Sequence, residues 1–223
     1  MTFHILTIFP KLLEPYLAES IIGRSIKSGK VKVKIYDLRK FTRDKHHKVD
    51  DRAYGGGPGM VIGVEPVSRA LSHILKGKSK KKTLVILTAP GGKGFSNQIA
   101  SAWARGYEHL VIICGHYEGF DERIKSVIKK SMGFPVLEVS VGPYVLTGGE
   151  IPALIIVDAT ARQIPGVLGK KESLEESRYG VGLPTYTRPE VFKLKGKIYK
   201  VPKVLLSGDH SRIDKWRKDK GNK

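Results

Sequence analysis

The sequence is poor in cysteine and has no long apolar run. Its single cysteine, Cys114, cannot form a disulfide within the chain, and no secretory signal is recognisable. Both features are typical of proteins of the reducing cytosol, so we expect a cytoplasmic protein. The longest apolar run covers 151–161 and contains Asp158, whereas a membrane-spanning helix needs about 18 to 20 apolar residues. We therefore expect no membrane partner.

Acidic residues are scarce relative to basic ones. The 223 residues include 21 Asp and Glu against 40 Lys and Arg, which gives a formal net charge of +19. A field of this sign concentrates polyanions near the surface and speeds their capture. The composition therefore favours RNA or DNA as the large partner, and a merely soluble, lysine-rich surface is the alternative. The length fits one large domain, or one domain with a small appendage.

Strand-like and helix-like stretches alternate along the chain up to residue 163. Because the strand-like stretches are continuously apolar, we expect an α/β fold with a mostly parallel sheet and helices on both faces. Apolar periodicity predicts strands over 4–9, 31–35, 83–87, 110–114 and 136–141, and helices over 10–27, 64–75, 97–106, 121–131 and 151–163.

The amino-acid composition changes after residue 163. The stretch 164–188 is rich in Gly, Pro, Ser and charged residues, and we interpret it as an interdomain linker. The remaining 189–223 is short and basic, and its stretch 214–220 is predicted to form a helical turn or two. We therefore divide the chain into a sheet domain over 1–163, the linker, and a short C-terminal segment over 189–223.

Three predicted strands run directly into loops that can hold a ligand. In parallel sheets, ligands bind beyond the carboxyl ends of the strands, and the loops 87–95, 114–121 and 141–149 start there. Loop 87–95 lacks both the Walker spacing and a GxGxxG fingerprint, so an ordinary strand–helix turn is its alternative. Loop 141–149 combines glycines, one aromatic and aliphatic residues, which can supply apolar walls and backbone hydrogen bonds for an adenine ring.

Loop 114–121 carries side chains with distinct chemistry. Gly115 permits a close approach of a ligand, Tyr117 can stack on a planar ring, and Glu118 can accept hydrogen bonds from an amine or a base edge. The one cysteine and one histidine of this loop are too isolated to indicate a metal site, so we expect none.

The run Tyr54-Gly55-Gly56-Gly57-Pro58-Gly59-Met60 holds four glycines in five positions. Ordering so many glycines costs conformational entropy, and such a cost persists where the backbone approaches a ligand closely or needs a positive φ. Basic residues lie just upstream, which suits contact with phosphates. A mobile surface loop is the alternative.

Six ordered motifs closely resemble the bacterial TrmD family. They are GGGPGM, CGHYEGFDER, VGPYVLTGGE, IPGVLG, YTRPE and SGDHSRIDKWR, and the resemblance runs from Phe9 to about Trp216. Members are tRNA (guanine-N1)-methyltransferases that act on guanosine 37, beside the anticodon. The resemblance implies a SPOUT fold with a deep trefoil knot, a homodimer, S-adenosylmethionine bound in the knot, and a guanosine flipped into a site shared between subunits.

The functional residues of the family map onto matching positions of this chain. Arg162 matches the family arginine near the guanine, where a guanidinium stabilises the charge that develops on O6; an ion pair at a helix end is its alternative role. Magnesium dependence is left open. By this resemblance, the tRNA anticodon arm contacts Lys48, Asp50, Arg52, Gly57, Pro58, Gly59, Met60 and Arg188. The methyl donor contacts Leu87, Thr88, Pro90, Gly91, Gly115, Tyr117, Glu118, Val141, Gly142, Pro143, Tyr144, Val145, Leu146, Gly148 and Gly149.

The chain departs from the family pattern at the general base. The family places an aspartate in the linker, whereas this linker is shorter and contains none. Counted from IPGVLG, Ser177 stands at that position; Glu176 is the nearest substitute and Glu175 the second. A solvated acidic linker without any base is the alternative. A second departure is Pro143, which replaces a usually acidic residue and predicts an altered cofactor affinity.

The sequence therefore predicts S-adenosylmethionine-dependent methylation of tRNA at N1 of guanosine 37, giving 1-methylguanosine. One alternative is a related knotted methyltransferase with another RNA target. The other is a non-catalytic basic RNA-binding protein that keeps the cofactor pocket. GGGPGM and YTRPE favour the first function, because they belong to the substrate side of the family, and the missing linker aspartate favours the last.

Overall fold

The computed structural model of the chain describes residues 1–169, 173–178 and 181–221, the side chains of Ser177 and Gly221 excepted. The chain divides into two compact units, Met1–Leu168 and Gly169–Lys223. Two parts of the predicted linker, 170–172 and 179–180, lie outside the described residues. Every helix among the described residues is too short or too polar to cross a bilayer.

The first unit is built on a five-stranded, wholly parallel sheet with the strand order β2-β1-β6-β5-β7. A separate two-stranded pair, β3 with β4, is antiparallel. The elements are β1 Thr2–Thr7, α1 Glu14–Ala18, α2 Ser20–Lys27, β2 Lys32–Asp37, β3 Asp50–Asp51, β4 Val61–Ile62, α3 Val64–Leu75, β5 Thr83–Gly94, α4 Asn97–Gly106, β6 His109–Ile113, α5 Arg123–Ser126 with a π-helical continuation over Val127–Met132, β7 Val136–Ser140 and α6 Glu150–Ala161.

Apolar side chains fill both faces of this sheet. On one face, α1, α2, α4 and α6 bury residues such as Trp103 and Val157 against the strands. On the other face, α3 and α5 bury residues such as Leu71 and Ile124. Burying apolar surface on both sides is what requires the strands to be continuously apolar. The predicted α/β fold with a mostly parallel sheet and helices on both faces is confirmed.

Several predicted elements differ from the observed ones. The helix predicted over 121–131 is α-helical only over Arg123–Ser126 and π-helical beyond, and the strand predicted over 4–9 spans Thr2–Thr7. The helical pattern over 10–27 is interrupted between α1 and α2, where Glu19 is extended and Ser20 has a φ of 55°. The turn brings Gly23 against Ala18, whose carbonyl oxygen lies 2.2 Å from where a Cβ on Gly23 would sit. Strand β5 extends to Gly94, so the prediction of a loop over 87–95 was wrong for all but its last residue. The pairing of β5 with β7 is irregular between Thr88 and Lys93.

The second unit contains an antiparallel hairpin that the sequence pattern did not predict. Its strands are β8 Val191–Leu194 and β9 Lys197–Lys200, followed by α7 Lys203–Leu206 and α8 His210–Gly221. Helix α8 is longer than the predicted turn over 214–220, and Asp209 accepts a hydrogen bond from the backbone N–H of Arg212 at its start (3.1 Å). The stretch Glu175–Ser177 forms a single 3₁₀ turn.

In the first unit, His4 of β1 is buried beside other basic groups. Its Nδ1 lies 3.1 Å from the hydroxyl oxygen of Tyr36, and its Nε2 lies 3.3 Å from Nδ1 of His109. Burial, and then the positive charges of Lys78, His109 and Lys34, together lower the pKa of His4 from 6.5 to about 3. The folded protein therefore keeps this imidazole neutral at a pH where the unfolded chain protonates it.

We expect His4 to make the folded state sensitive to acid. Its contribution is complete above pH 6.5 and is lost as the pH falls toward 3, with a slope of up to about 1.4 kcal/mol per pH unit. Replacement His4→Gln should make the free energy of unfolding fall less steeply between pH 6 and 4. Urea titrations at several pH values measure this, with His46→Gln, at an exposed position, as control. Equal slopes for the wild type and His4→Gln would contradict the assignment.

Candidate active site

A cavity of about 410 Å³ lies at the carboxyl ends of β5, β6 and β7. Its walls are residues 87–90 within β5 and the loops that follow β6 and β7, near the sheet edge where ligands bind in parallel sheets. All predicted cofactor-contacting residues line this cavity except Gly91 and Pro143. Further lining residues that the sequence did not single out are Ala89, His116, Gly119, Phe120, Asp121, Glu122, Lys125, Glu138, Val139, Ser140, Thr147 and Pro152.

The two predicted residues outside the lining have solvent-facing positions. Nothing lies within 4 Å of where a Cβ on Gly91 would sit, and Pro143 is exposed. Among the additional lining residues, Lys125 comes from α5 and Glu138 from β7. Sequence periodicity does not reveal which polar side chains at the ends of such elements turn toward a neighbouring loop.

Hydrogen bonds join the three loops to one another. The Thr88 hydroxyl donates to the Ile113 carbonyl (3.2 Å) and accepts from the backbone N–H of Gly115 (3.0 Å). The backbone N–H of Gly149 donates to the Gly115 carbonyl (2.7 Å), and an isolated bridge pairs His116 with Gly148. The cavity is therefore held by contacts among loops that lie far apart in sequence.

Glycine is required where these loops touch. A Cβ on Gly149 would lie 2.1 Å from Oγ1 of Thr88 and 2.6 Å from the backbone nitrogen of Gly115. The second of these atoms belongs to the backbone and cannot rotate away. The glycines of this loop thus permit packing between loops, in addition to any approach to a ligand.

Aromatic and aliphatic side chains form an open, apolar part of the cavity wall. Tyr117, Tyr144, Val145 and Leu146 all line the cavity and are exposed. Tyr117 has a φ of 58°, which is uncommon for a side chain of this size. His116 packs edge-on against Tyr117, with ring centroids 4.5 Å apart. Such a wall suits a planar, partly apolar ligand.

Acidic groups outnumber basic ones in the cavity wall. Asp121 pairs with Arg123 (2.6 Å), and its hydrogen bonds from Arg123 lower the pKa of its carboxyl. Lys125 forms ion pairs with both Glu122 and Glu138 and has a raised pKa, because these carboxylates stabilise its charged form. The cavity is thus locally acidic in a chain of net charge +19.

The glycine-rich segment at 55–60 joins this cavity through a short hydrogen-bonded ladder. The backbone N–H of Glu118 donates to the Met60 carbonyl (3.0 Å), and the N–H of Ile62 donates to the Gly119 carbonyl (2.9 Å). Gly59 has a φ of +81°, and a Cβ there would lie 2.5 Å from Oε1 of Glu118. The sequence pattern assigned 55–60 to the RNA side and did not reveal this contact.

The other predicted RNA-contacting residues are mostly exposed. Lys48 forms an ion pair with Asp51 (3.2 Å), and Asp50 pairs with Ile62 between β3 and β4. The exposed ones are Lys48, Arg52, Gly57 and Pro58 in the first unit and Arg188 in the second.

The predicted catalytic residues are divided between the two units. In the first unit, Arg162 follows α6 and lines a second cavity of about 340 Å³, in which the Tyr16 hydroxyl donates to Oδ2 of Asp158 (2.6 Å). It does not line the larger cavity. In the second unit, Glu175 accepts a hydrogen bond from the backbone N–H of Gly182 (2.9 Å), and the adjacent Glu176 is partly buried.

No group of three or more metal-ligating side chains converges within the described part of the chain.

The sequence as a whole matches one protein family. A family model described as tRNA (Guanine-1)-methyltransferase TrmD matches residues 1–223. The chain belongs to the TrmD family. It is 46% identical over 217 residues to the tRNA (guanine-N(1)-)-methyltransferase of Dictyoglomus turgidum, covering 96% of this chain and 82% of that protein. The protein of the same name from Pediococcus pentosaceus is 44% identical over 221 residues, which cover 98% of this chain and 85% of that protein. The one from Clostridioides difficile is 43% identical over 222 residues, which cover 98% of this chain and 91% of that protein.

Membership of the TrmD family confirms the resemblance that the six motifs indicated. The motifs that line the larger cavity, CGHYEGFDER and VGPYVLTGGE, come from two separate loops of the sheet. The geometry thus brings two motifs that are distant in sequence to one cavity.

We expect the two glycines Gly149 and Gly91 to respond differently to an added methyl group. Gly149→Ala should lower the free energy of unfolding by about 1 to 3 kcal/mol, because the loops must separate. Gly91→Ala should change it by less than about 0.5 kcal/mol, since its Cβ meets open space. Urea unfolding monitored by tryptophan fluorescence measures both. An equal effect of the two substitutions would contradict the role assigned to the loop contact.

Proposed function

We propose that this chain methylates tRNA at N1 of guanosine 37, next to the anticodon, with S-adenosylmethionine as the methyl donor, and so forms 1-methylguanosine. The observation that carries the proposal is the cavity at the carboxyl ends of β5, β6 and β7, in a member of the TrmD family. A cytosolic location is part of the proposal, supported by the single, buried Cys114.

The cavity fits a nucleoside-containing methyl donor. Its volume of about 410 Å³ falls in the usual range for small-molecule sites. Tyr117, Val145 and Leu146 offer apolar walls for an adenine ring, and the surrounding loops offer backbone groups to its edge. When bound, S-adenosylmethionine supplies a methyl group activated by the sulfonium charge. The residues of the chain then have to orient the guanine, remove the N1 proton and stabilise charge on O6.

A SPOUT-type trefoil knot involving 142–149 is the proposed topology. Its support is the contact of this loop with 114–116, through the hydrogen bond from Gly149 to Gly115 and the bridge between Gly148 and His116. Helix α5 and strand β7 lie between these loops in sequence. We further propose a catalytic domain over 1–163, a linker over 164–188 and a tRNA-binding segment over 189–223. The boundary between compact units at 168 and 169 lies within that linker, which supports the division.

The target guanosine enters from the side of the 55–60 segment in this proposal. Gly59 and Met60 lie against Glu118 of the cavity wall, so a flipped base held there reaches the methyl donor. Glu118 then accepts a hydrogen bond from the base edge or from the donor's amino group. The net charge of +19 favours capture of the anticodon arm.

The catalytic roles are assigned to Arg162 and to a linker glutamate. Arg162 stabilises negative charge on O6 of the guanine, and Glu176, or secondly Glu175, removes the N1 proton. Two copies of the chain form the working enzyme, with each site completed by the partner. The side chains of Ile151 and Ile155, 57% and 37% exposed, lie on the α6 surface that also carries Arg162, and this apolar surface supports a dimer contact there.

A reaction with defined tRNA tests the function. We expect incubation with radiolabelled S-adenosylmethionine and an unmodified tRNA carrying guanosines 36 and 37 to label N1 of guanosine 37 only, as mapped by nuclease digestion and mass spectrometry. The same tRNA with adenosine at position 37 is the control. Label at another nucleotide would favour a related knotted methyltransferase, and donor binding without any label would favour a non-catalytic RNA-binding protein, which the missing linker aspartate suggests.

Single-turnover rates test the catalytic residues. Glu176→Gln and Arg162→Ala should each slow methyl transfer by roughly a hundredfold or more, because a general base and a fixed cation each contribute on that order. Glu108→Gln, at an exposed position just before β6 and away from both cavities, should leave the rate unchanged. A loss of less than about tenfold, or roughly 1.4 kcal/mol of barrier, in both Glu176→Gln and Glu175→Gln would contradict the proposed base.

A further inference from the structure

Glu150 is a buried carboxylate directly behind the wall of the larger cavity. It is the first residue of α6 and is 4% exposed. Its Oε1 accepts a hydrogen bond of 2.6 Å from the Thr7 hydroxyl. Its Oε2 lies 2.5 Å from the point that a Cβ on Gly148 would occupy, and Gly148 lines the cavity. The same point lies 2.7 Å from Nδ1 of His116, and residue 148 itself places no side chain between this carboxylate and the cavity.

Within the described residues, Glu150 has no cationic partner, unlike most acidic groups nearby. Asp121 is paired with Arg123, and Glu122 and Glu138 share Lys125. Besides Thr7, the amino-terminal end of α6 stabilises the negative charge of Glu150. This charge also acts on its surroundings: burial first, and then the charge of Glu150, raise the pKa of Cys114.

A negative charge at this depth acts strongly on a ligand in the cavity. Charges in a low-dielectric interior interact over longer distances than charges in water, and salt screens them less. The rest of the molecule disfavours binding of a cation, because a chain of net charge +19 repels small cations. A cationic ligand therefore needs a local negative charge, and Glu150 is placed to provide it.

We propose that Glu150 is a specificity-determining residue that favours a cationic methyl donor over its neutral product. The inference rests on the proposed function, in which the donor carries a sulfonium ion. Transfer of the methyl group converts the sulfonium into an uncharged thioether, so donor and product differ by one methyl group and one positive charge. A carboxylate behind the wall distinguishes them by charge and favours release of the spent cofactor. The competing explanation is that Glu150 only anchors the start of α6 to Thr7, which would affect both ligands alike.

Isothermal titration with S-adenosylmethionine and S-adenosylhomocysteine tests the proposal. Glu150→Gln removes the charge and keeps the shape and a hydrogen-bond acceptor for Thr7. We expect it to weaken binding of S-adenosylmethionine by about tenfold, which corresponds to about 1.4 kcal/mol, and to change binding of S-adenosylhomocysteine by less than about threefold. Glu108→Gln is the matched control, because it changes the net charge equally at an exposed position just before β6, and should leave the ratio of the two affinities unchanged.

Each other outcome is decisive. If Glu150→Gln weakens the binding of both ligands equally, the ratio of affinities is unchanged and Glu150 only anchors α6. If neither affinity changes, selection by charge is also excluded. Both results leave the proposed function intact. Failure of the wild type to bind either ligand would overturn the proposed cofactor and this inference together. If Glu150→Gln does not fold, Glu150→Asp retains the charge. The ratio of affinities should then stay within about threefold of the wild type, and a tenfold shift toward the product would overturn the proposal.

Discussion

The contact of Gly149 with Thr88 and Gly115 is the constraint on which the candidate site depends. It joins Thr88 of β5 and the end of β6 to the start of α6 through backbone and hydroxyl hydrogen bonds. No side chain at residue 149 is compatible with this approach. The three loops thus form one wall, and the order of the parallel sheet places them side by side.

The electrostatics of the molecule separate two tasks. The surface of the chain is strongly basic, which suits capture of a polyanion over long distances. The cavity is lined by several carboxylates and a single lysine, so it presents the opposite sign to a small ligand. Opposite potentials at these two length scales allow one chain to attract RNA and still accept a small cation.

The architecture was predictable from apolar periodicity because the helices cover both faces of the sheet. Helices α3 and α4 have the predicted bounds, since each has a clear apolar stripe and an unambiguous end. The break at Glu19 and Ser20 was not predictable, because the stripe continues through it and close packing of Gly23 on Ala18 decides the local structure. The hairpin β8–β9 was missed because its residues are exposed on both faces and show no alternation of apolar and polar positions.

The site was predictable where glycines and aromatics follow strands, and less so where side chains turn in from elsewhere. Lys125 and Glu138 line the cavity from regular elements whose sequence gives no sign of it. The ladder from Met60 to Asp121 was also hidden, because a contact between segments so far apart in sequence leaves no local pattern.

That ladder affects how variants of the 55–60 segment should be interpreted. Gly59 is seated directly against the carboxylate of Glu118, so the same glycine serves both the surface segment and the cavity wall. An inactive variant at this position would not by itself identify a contact with RNA. Two segments that are separate in the sequence are in direct contact here. A substitution in either one is therefore expected to change the structure of both.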